Sequence, residues 1–166
     1  MAQEDLYKKD CIRTYSGKYV NVFEPTEDMI CIEDIAHALA HQCRFAGHTQ
    51  SFLSVAEHSY YVMAITEKEN KLQALMHDSS EAYLVDIPSP IKKHLPNYIE
   101  LEDKLMHIIA SKFGFEWPMS DEVKINDRKS LEFEWENSVL TECEAADPKE
   151  AEKLFLQCFK ELTERI

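Results

Sequence analysis

An all-α fold, a compact helical bundle with a short N-terminal β-hairpin, is predicted by three observations. Apolar residues recur at helical spacing through most of the chain, and capping residues stand where those stretches begin. Only three glycines occur in 166 residues. So little glycine argues against a loop-rich β sandwich and against a glycine-based phosphate cradle. The length suits one domain over residues 1–166, able to bury a core without staples.

The elements follow in order. Residues 12–23 carry β-branched and aromatic side chains on both sides of Ser16-Gly17, which predicts a hairpin ended by Glu24-Pro25-Thr26. From Glu33 to Cys43, Ile35, Leu39 and Cys43, with Ala36 and Ala40 beside them, have helical spacing. Ser54-x-x-Glu57 is a capping box, predicting a helix that carries His58 in its first turns and turns Val55, Val62 and Ile65 to the core. A continuous helix over about 69–84 is expected next, broken by the loop Asp86-Ile87-Pro88-Ser89-Pro90. Asn97-x-x-Glu100 is read as the cap of a long helix ending at Gly114. A helix over about 120–142 follows, and Asp147-Pro148-x-Glu150 opens the last one. There Ala151, Leu154, Phe155, Cys158, Phe159 and Leu162 form one apolar stripe.

Bulk properties exclude several functions. The net charge of −13 opposes binding of duplex nucleic acid, which needs clustered Lys and Arg. It also means that any phosphorylated substrate must find its positive charge in a metal and a few placed cations. No apolar run approaches the roughly 20 residues that span a bilayer. Met1-Ala2-Gln3-Glu4-Asp5 lacks the character of a signal peptide, so residence in the cytoplasm is expected. Cys11, Cys31, Cys43, Cys143 and Cys158 are scattered without a Cys-x-x-Cys pair and read as buried small hydrophobes.

The chemistry concentrates around His77-Asp78. Glu81 lies four residues past His77 and three past Asp78, on one side of the helix expected there. Nineteen residues earlier stands His58. Imidazole and carboxylate bind mid-series divalent metals without thiolate. Two imidazoles and one carboxylate leave an ion short of ligands, and Asp127, in Lys124-Ile125-Asn126-Asp127-Arg128-Lys129, is the best candidate for another acid. His37 and His41 also have the i, i+4 spacing that can bind zinc, but they lack the glutamate of H-E-x-x-H and read as ordinary helix histidines.

The pattern His58…His77-Asp78…Asp127 resembles the H…HD…D signature of the HD-domain metal-dependent phosphohydrolases. The run from His77 to Lys92, with Glu81, Asp86, Pro88 and Pro90, is similar to the H-D-x-x-E-x-x-x-x-D-x-P-x-P-x-K run of bacterial 5′-deoxynucleotidases and small phage enzymes, including dATP triphosphohydrolases. Cys43-Arg44-Phe45-Ala46-Gly47-His48-Thr49 resembles the same phage enzymes, and the likeness covers about residues 31–130. The resemblance implies an all-α fold and His58, His77, Asp78 and Asp127 as metal ligands. It implies hydrolysis of nucleotides, foremost deoxynucleoside 5′-monophosphates. The alternatives are a deoxynucleoside triphosphate triphosphohydrolase and a non-catalytic nucleotide sensor. Relatives commonly form dimers or larger rings, so a homo-oligomer is expected.

The residues suit that chemistry. Two neutral imidazoles and two carboxylates balance a 2+ ion and leave coordination positions open; Mn, Co, Fe, Ni, Zn and Mg remain alternatives. Glu81 is expected to orient a water and move its proton. Arg44 offers a planar fork for phosphoryl oxygens and Lys92 a point charge. Asp86 is carried over from the family as a contact to the sugar or the leaving oxygen. Phe45, beside Arg44, is a candidate for a nucleobase pocket, and His48 for a further substrate contact.

Overall fold

A computed structural model of the chain describes residues 8–142 and 144–164. Met1–Asp5, on which the signal-peptide reading rests, and Cys143 lie outside the described residues. The hairpin forms from β1 (Cys11–Arg13) and β2 (Tyr19–Asn21), antiparallel, with Ile12 opposite Val20. Gly17 takes φ +88 at the turn, a conformation costly for any residue with a Cβ. The tip is tied to the helical body, because the Ser16 N–H and hydroxyl donate to the two carboxylate oxygens of Asp34 at 2.6 and 2.8 Å.

The rest is mostly helical: α1 (Ile32–His41), α2 (Val55–Ala64), α3 (Lys71–Met76), α4 (Glu81–Leu84), α5 (Ser89–Lys92), α6 (Pro96–Phe113), α7 (Asp121–Glu134) and α8 (Pro148–Thr163). Helix α1 packs on α8 and α4, while α2 packs on α3, α8 and α7. Between them Ile35, Leu39, Leu75, Met76, Leu105 and Phe155 are fully buried. Among the described residues no helix is long and apolar enough to cross a membrane.

Local rules explain most boundaries. Asp147 caps α8 by accepting from the Lys149 and Glu150 N–H groups, and Gly114 closes α6 in the left-handed conformation. Ser54 caps α2 through the Glu57 N–H, as the capping box predicts. The Glu57 carboxylate accepts from the Tyr61 hydroxyl, the Ala146 N–H and, closing the box, the Ser54 N–H. Ile65, expected in the core, is 53% exposed because α2 ends one residue before it. Asn97 does not cap α6: Pro96 already occupies the first helical position, and Leu95 precedes it without a side-chain cap. The Pro-rich loop is shorter than expected, since Ser89-Pro90 opens α5. Cys11, Cys31, Cys43 and Cys158 are free and half-buried rather than buried.

Two departures matter for function. The helix expected over 69–84 is broken at residues 77–80, so His77 and Asp78 stand in tight turns between α3 and α4. The His77 ring nitrogen Nδ1 lies 2.7 Å from the Ala74 carbonyl, the acceptor that a continuing α-helix would offer to the Asp78 N–H. The chain tightens instead through Ser79 N–H to Met76 O and Glu81 N–H to Asp78 O. The second departure is at the end of α7, which passes into a π-helical turn, Trp135–Val139. Gln50 donates there from its backbone to the Ser138 carbonyl and from its side chain to that of Val139.

Candidate metal centre

Three helical segments deliver one cluster. His58 sits in the first turns of α2, His77 and Asp78 in the turns after α3, and Asp127 midway along α7. His58 Nε2 is the hub, 3.3 Å from His77 Nε2, 3.1 Å from Asp127 Oδ1 and 3.5 Å from Asp78 Oδ2. His77 Nε2 is 3.2 Å from Asp78 Oδ2 and 3.8 Å from Asp127 Oδ1. Ligands about 2.0–2.2 Å from a common ion, subtending tetrahedral to octahedral angles, are separated by such distances. His58, His77 and Asp127 bring ligand atoms within 4.8 Å of one another and could hold a metal ion, with Asp78 Oδ2 beside both imidazoles.

Hydrogen bonding sets the imidazoles for that purpose. A carbonyl can only accept, so His77 Nδ1 carries the proton toward Ala74 and leaves the Nε2 lone pair facing the cluster. His58 Nδ1 lies 2.6 Å from Glu134 Oε1, and donation there likewise frees Nε2. The imidazoles are sealed in, whereas the side chains of Asp78 and Asp127 are 19% and 38% exposed. The centre therefore opens to solvent on its carboxylate side.

The electrostatics fit a cation. Burial disfavours the imidazolium of His77, yet Asp78 and then Asp127 raise its pKa well above the usual value. Burial likewise opposes charge on Asp78 and Asp127, but the imidazoles hold both below the carboxylate range. Without an ion, the carboxylates favour a second proton on His77, at the Nε2 position that would face an ion.

Beside the cluster lie the other expected residues. Glu81 is 3% exposed; burial, then Asp78 and Asp86, push its pKa well up. Its Oε1 is 3.8 Å from Lys92 Nζ, while Oε2 has no hydrogen-bond partner among the described residues. Lys92 is held mainly by Glu102, at 2.5 Å. The Arg44 fork is engaged by acids: Nε and Nη2 donate to Glu134 Oε2 at 3.4 and 3.3 Å, and Nη1 to Asp86 Oδ2 at 3.5 Å. Asp86 thus faces Arg44, with its own N–H held by the Gln42 side-chain oxygen, while the Gln42 amide donates to the Glu81 carbonyl. Phe45 packs against Trp135 with ring centroids 6.1 Å apart, under the Arg44 guanidinium. His48 is exposed, and among the described residues its ring has no hydrogen bond to the cluster.

The backbone is strained where it presents these groups. Phe45 and Ala46 take φ of 52 and 51, and Val85, next to Asp86, takes φ 74 with ψ 148. For a β-branched residue the last is a costly conformation.

Glu134 and Gln42 are functional candidates that sequence reasoning missed. A signal existed for the first: Asp127, Ser130 and Glu134 lie at i, i+3, i+7 and share one face of α7. Ser130 and Glu134 on that face are buried, whereas apolar Ile125 and Phe133 point to solvent at 55% and 57% exposure. A second group, His37, His41 and Glu152, also gathers ligand atoms within 4.8 Å. Its histidine rings stack at 4.1 Å with planes 29° apart, so their lone pairs run side by side, and Lys149 and Lys153 line the same cleft. That arrangement suits a cation poorly.

No family model matches the chain. It is 43% identical over 116 residues to the uncharacterized protein YfdR of Escherichia coli (strain K12), covering 70% of this chain and 65% of that protein. It is 38% identical over 112 residues to the uncharacterized protein RCAP_rcc00048 of Rhodobacter capsulatus, covering 61% of this chain and 57% of the relative. The chain thus spans less than two thirds of the length of either curated relative.

Proposed function

We propose that this chain is a metal-dependent phosphohydrolase of the HD type, releasing phosphate from deoxynucleoside 5′-monophosphates. The observation that carries the reading is the grouping of His58, His77 and Asp127, with Asp78 against both imidazoles, beside a buried Glu81 oxygen that has no hydrogen-bond partner among the described residues. The resemblance of the His77–Lys92 run to the family supports it. A divalent ion in this centre supplies polarisation of a phosphoryl oxygen and lowers a water's proton affinity. An N/O donor set suits Mn, Fe, Co, Ni or Zn, with Mg the least matched to imidazole.

The chain's own groups divide the rest of the work. Glu81, whose proton affinity is raised, takes a proton from the attacking water and returns one to the leaving oxygen. Arg44 Nη1 turns from its long contact with Asp86 to a phosphoryl oxygen, with Nε and Nη2 still held by Glu134. Lys92 adds a second positive charge near Glu81. Asp86, freed from Arg44, accepts from the sugar hydroxyl.

A monophosphate fits better than a triphosphate. Arg44 and Lys92 are each shared with acids, so little cationic charge is left for three phosphoryl groups. The test is phosphate release from a panel of nucleoside mono- and triphosphates, using metal-stripped protein restored with one metal at a time. Inorganic phosphate from 5′-monophosphates supports the reading. Tripolyphosphate from triphosphates would replace the substrate, and nucleotide binding without turnover would make the protein a sensor.

A further inference from the structure

We propose that Glu134 is a positioning residue whose single carboxylate sets both the metal ligand His58 and the cation Arg44. For Arg44 this rests on the phosphohydrolase reading; for His58 it rests on the metal centre alone. Glu134 is 1% exposed, at the last turn of α7. Its two oxygens serve different partners: Oε1 faces His58 Nδ1 at 2.6 Å, and Oε2 receives Arg44 Nε and Nη2. The Ser130 hydroxyl adds a longer contact to Oε1, at 3.2 Å, to a carboxylate already held by His58 and Arg44.

Each contact has a consequence for the centre. Donation from His58 Nδ1 selects the tautomer whose Nε2 lone pair points at His77, Asp78 and Asp127. Occupation of Nε and Nη2 leaves Nη1 as the edge of Arg44 turned toward Asp86. One rotation of Glu134 would disturb both the metal ligand and the phosphate contact, so the two are set together.

Glu134→Gln separates the roles, because an amide has only one acceptor oxygen. If that oxygen faces His58, the NH2 group opposes the Arg44 donors; if it faces Arg44, the NH2 group opposes the Nδ1 proton and favours the wrong tautomer. Binding of Co2+ is measured by calorimetry on the wild type, Glu134→Gln and Ser130→Ala, without nucleotide. Loss of a supporting hydrogen bond to a ligating histidine costs about 10- to 100-fold in metal affinity. Glu134→Gln is expected to weaken Co2+ binding by that factor, or to keep it and raise KM for the monophosphate at least tenfold with kcat little changed. Ser130→Ala is expected to stay within a few-fold of wild type. A folded Glu134→Gln protein that matches wild type in Co2+ affinity and KM overturns the proposal.

The wild type provides a test free of folding effects. Long-range 15N–1H spectra of 15N-histidine-labelled apo protein should show His58 protonated at Nδ1, and a His58 protonated only at Nε2 overturns the proposal. If no nucleotide is turned over but Co2+ affinity still falls in Glu134→Gln, the functional reading fails and the role toward His58 stands.

Discussion

His58 Nε2 and Asp127 Oδ1 lie 3.1 Å apart although they belong to different helices, and His77 and Asp78 close on the same point from a third segment. Helices α2 and α7 pack so that a buried imidazole meets a half-exposed carboxylate. Removing that carboxylate should cost little packing but one of four candidate ligands. Asp127→Ala is expected to weaken divalent binding about 100-fold and to reduce turnover at least as much, with the fold kept. Calorimetry and circular dichroism check the two halves of that statement.

In the proposed mechanism Glu81 serves the chemistry and not the metal. Glu81→Gln is expected to retain metal affinity within a few-fold while turnover falls by about 10²- to 10⁴-fold, the usual loss when general acid–base help is removed. Its stability effect has a defined sign. Burial, then Asp78 and Asp86, raise the folded-state pKa above that of an unfolded glutamate, about 4.3. The native state is unpenalised below that unfolded value and loses stability as pH rises through the higher folded value. The apo Glu81→Gln protein should therefore melt higher than wild type at pH 8, by about 2–4 °C if the gain is about 1 kcal/mol. At pH 4 the two should melt together.

Metal binding should release protons. Asp78 and Asp127 raise the proton affinity of His77, and a cation at the centre competes with that proton. Calorimetry at pH 7 in buffers of different ionisation enthalpy is expected to show net proton release on metal binding. Affinity should fall as pH is lowered.

How much of this was legible in the sequence follows from the range of the forces involved. Caps at Ser54 and Asp147, the stop at Gly114 and the hairpin at Gly17 are local, and each formed where its residues stood. The four ligand candidates were legible because their chemistry is rare and their spacing matches a known pattern. The break at His77 was not, since it arises when a ring nitrogen takes the Ala74 carbonyl, a competition that apolar periodicity does not register. Glu134 is one of 31 acidic residues, marked in the sequence by its place on the Asp127 face of α7 alone, and its burial against His58 and Arg44 is what distinguishes it. The roles proposed for Arg44 and Lys92 rest on charge type alone, and sequence could not foresee that Glu134, Asp86 and Glu102 already engage them.

Backbone strain at Val85 gives a prediction about stability. Its φ of 74 with ψ 148 suits glycine, and its side chain is 53% exposed, so little burial is lost on truncation. Val85→Gly is expected to raise or leave unchanged the melting temperature, against the usual destabilisation of about 0.5–1 kcal/mol for a new glycine. Turnover should fall, because the same strain fixes Asp86 opposite Arg44. Thermal melts beside steady-state kinetics check both.

Arg44→Ala removes one side of a buried ion pair and leaves Glu134 with His58 and Ser130 only. A cost of about 3 kcal/mol, or roughly 6–12 °C in melting temperature, is expected. Arg44→Lys should recover part of the stability but not the KM, since an ammonium cannot hold Glu134 and a phosphoryl oxygen through separate edges. Melting curves and KM for a monophosphate test this.

Anomalous scattering from crystals grown with Mn2+ or Co2+ tests the centre directly. The expected result is one strong peak about 2.0–2.3 Å from His58 Nε2, His77 Nε2, Asp78 Oδ2 and Asp127 Oδ1. A peak at another group of side chains, or none at these four when the ion is in excess, would contradict it.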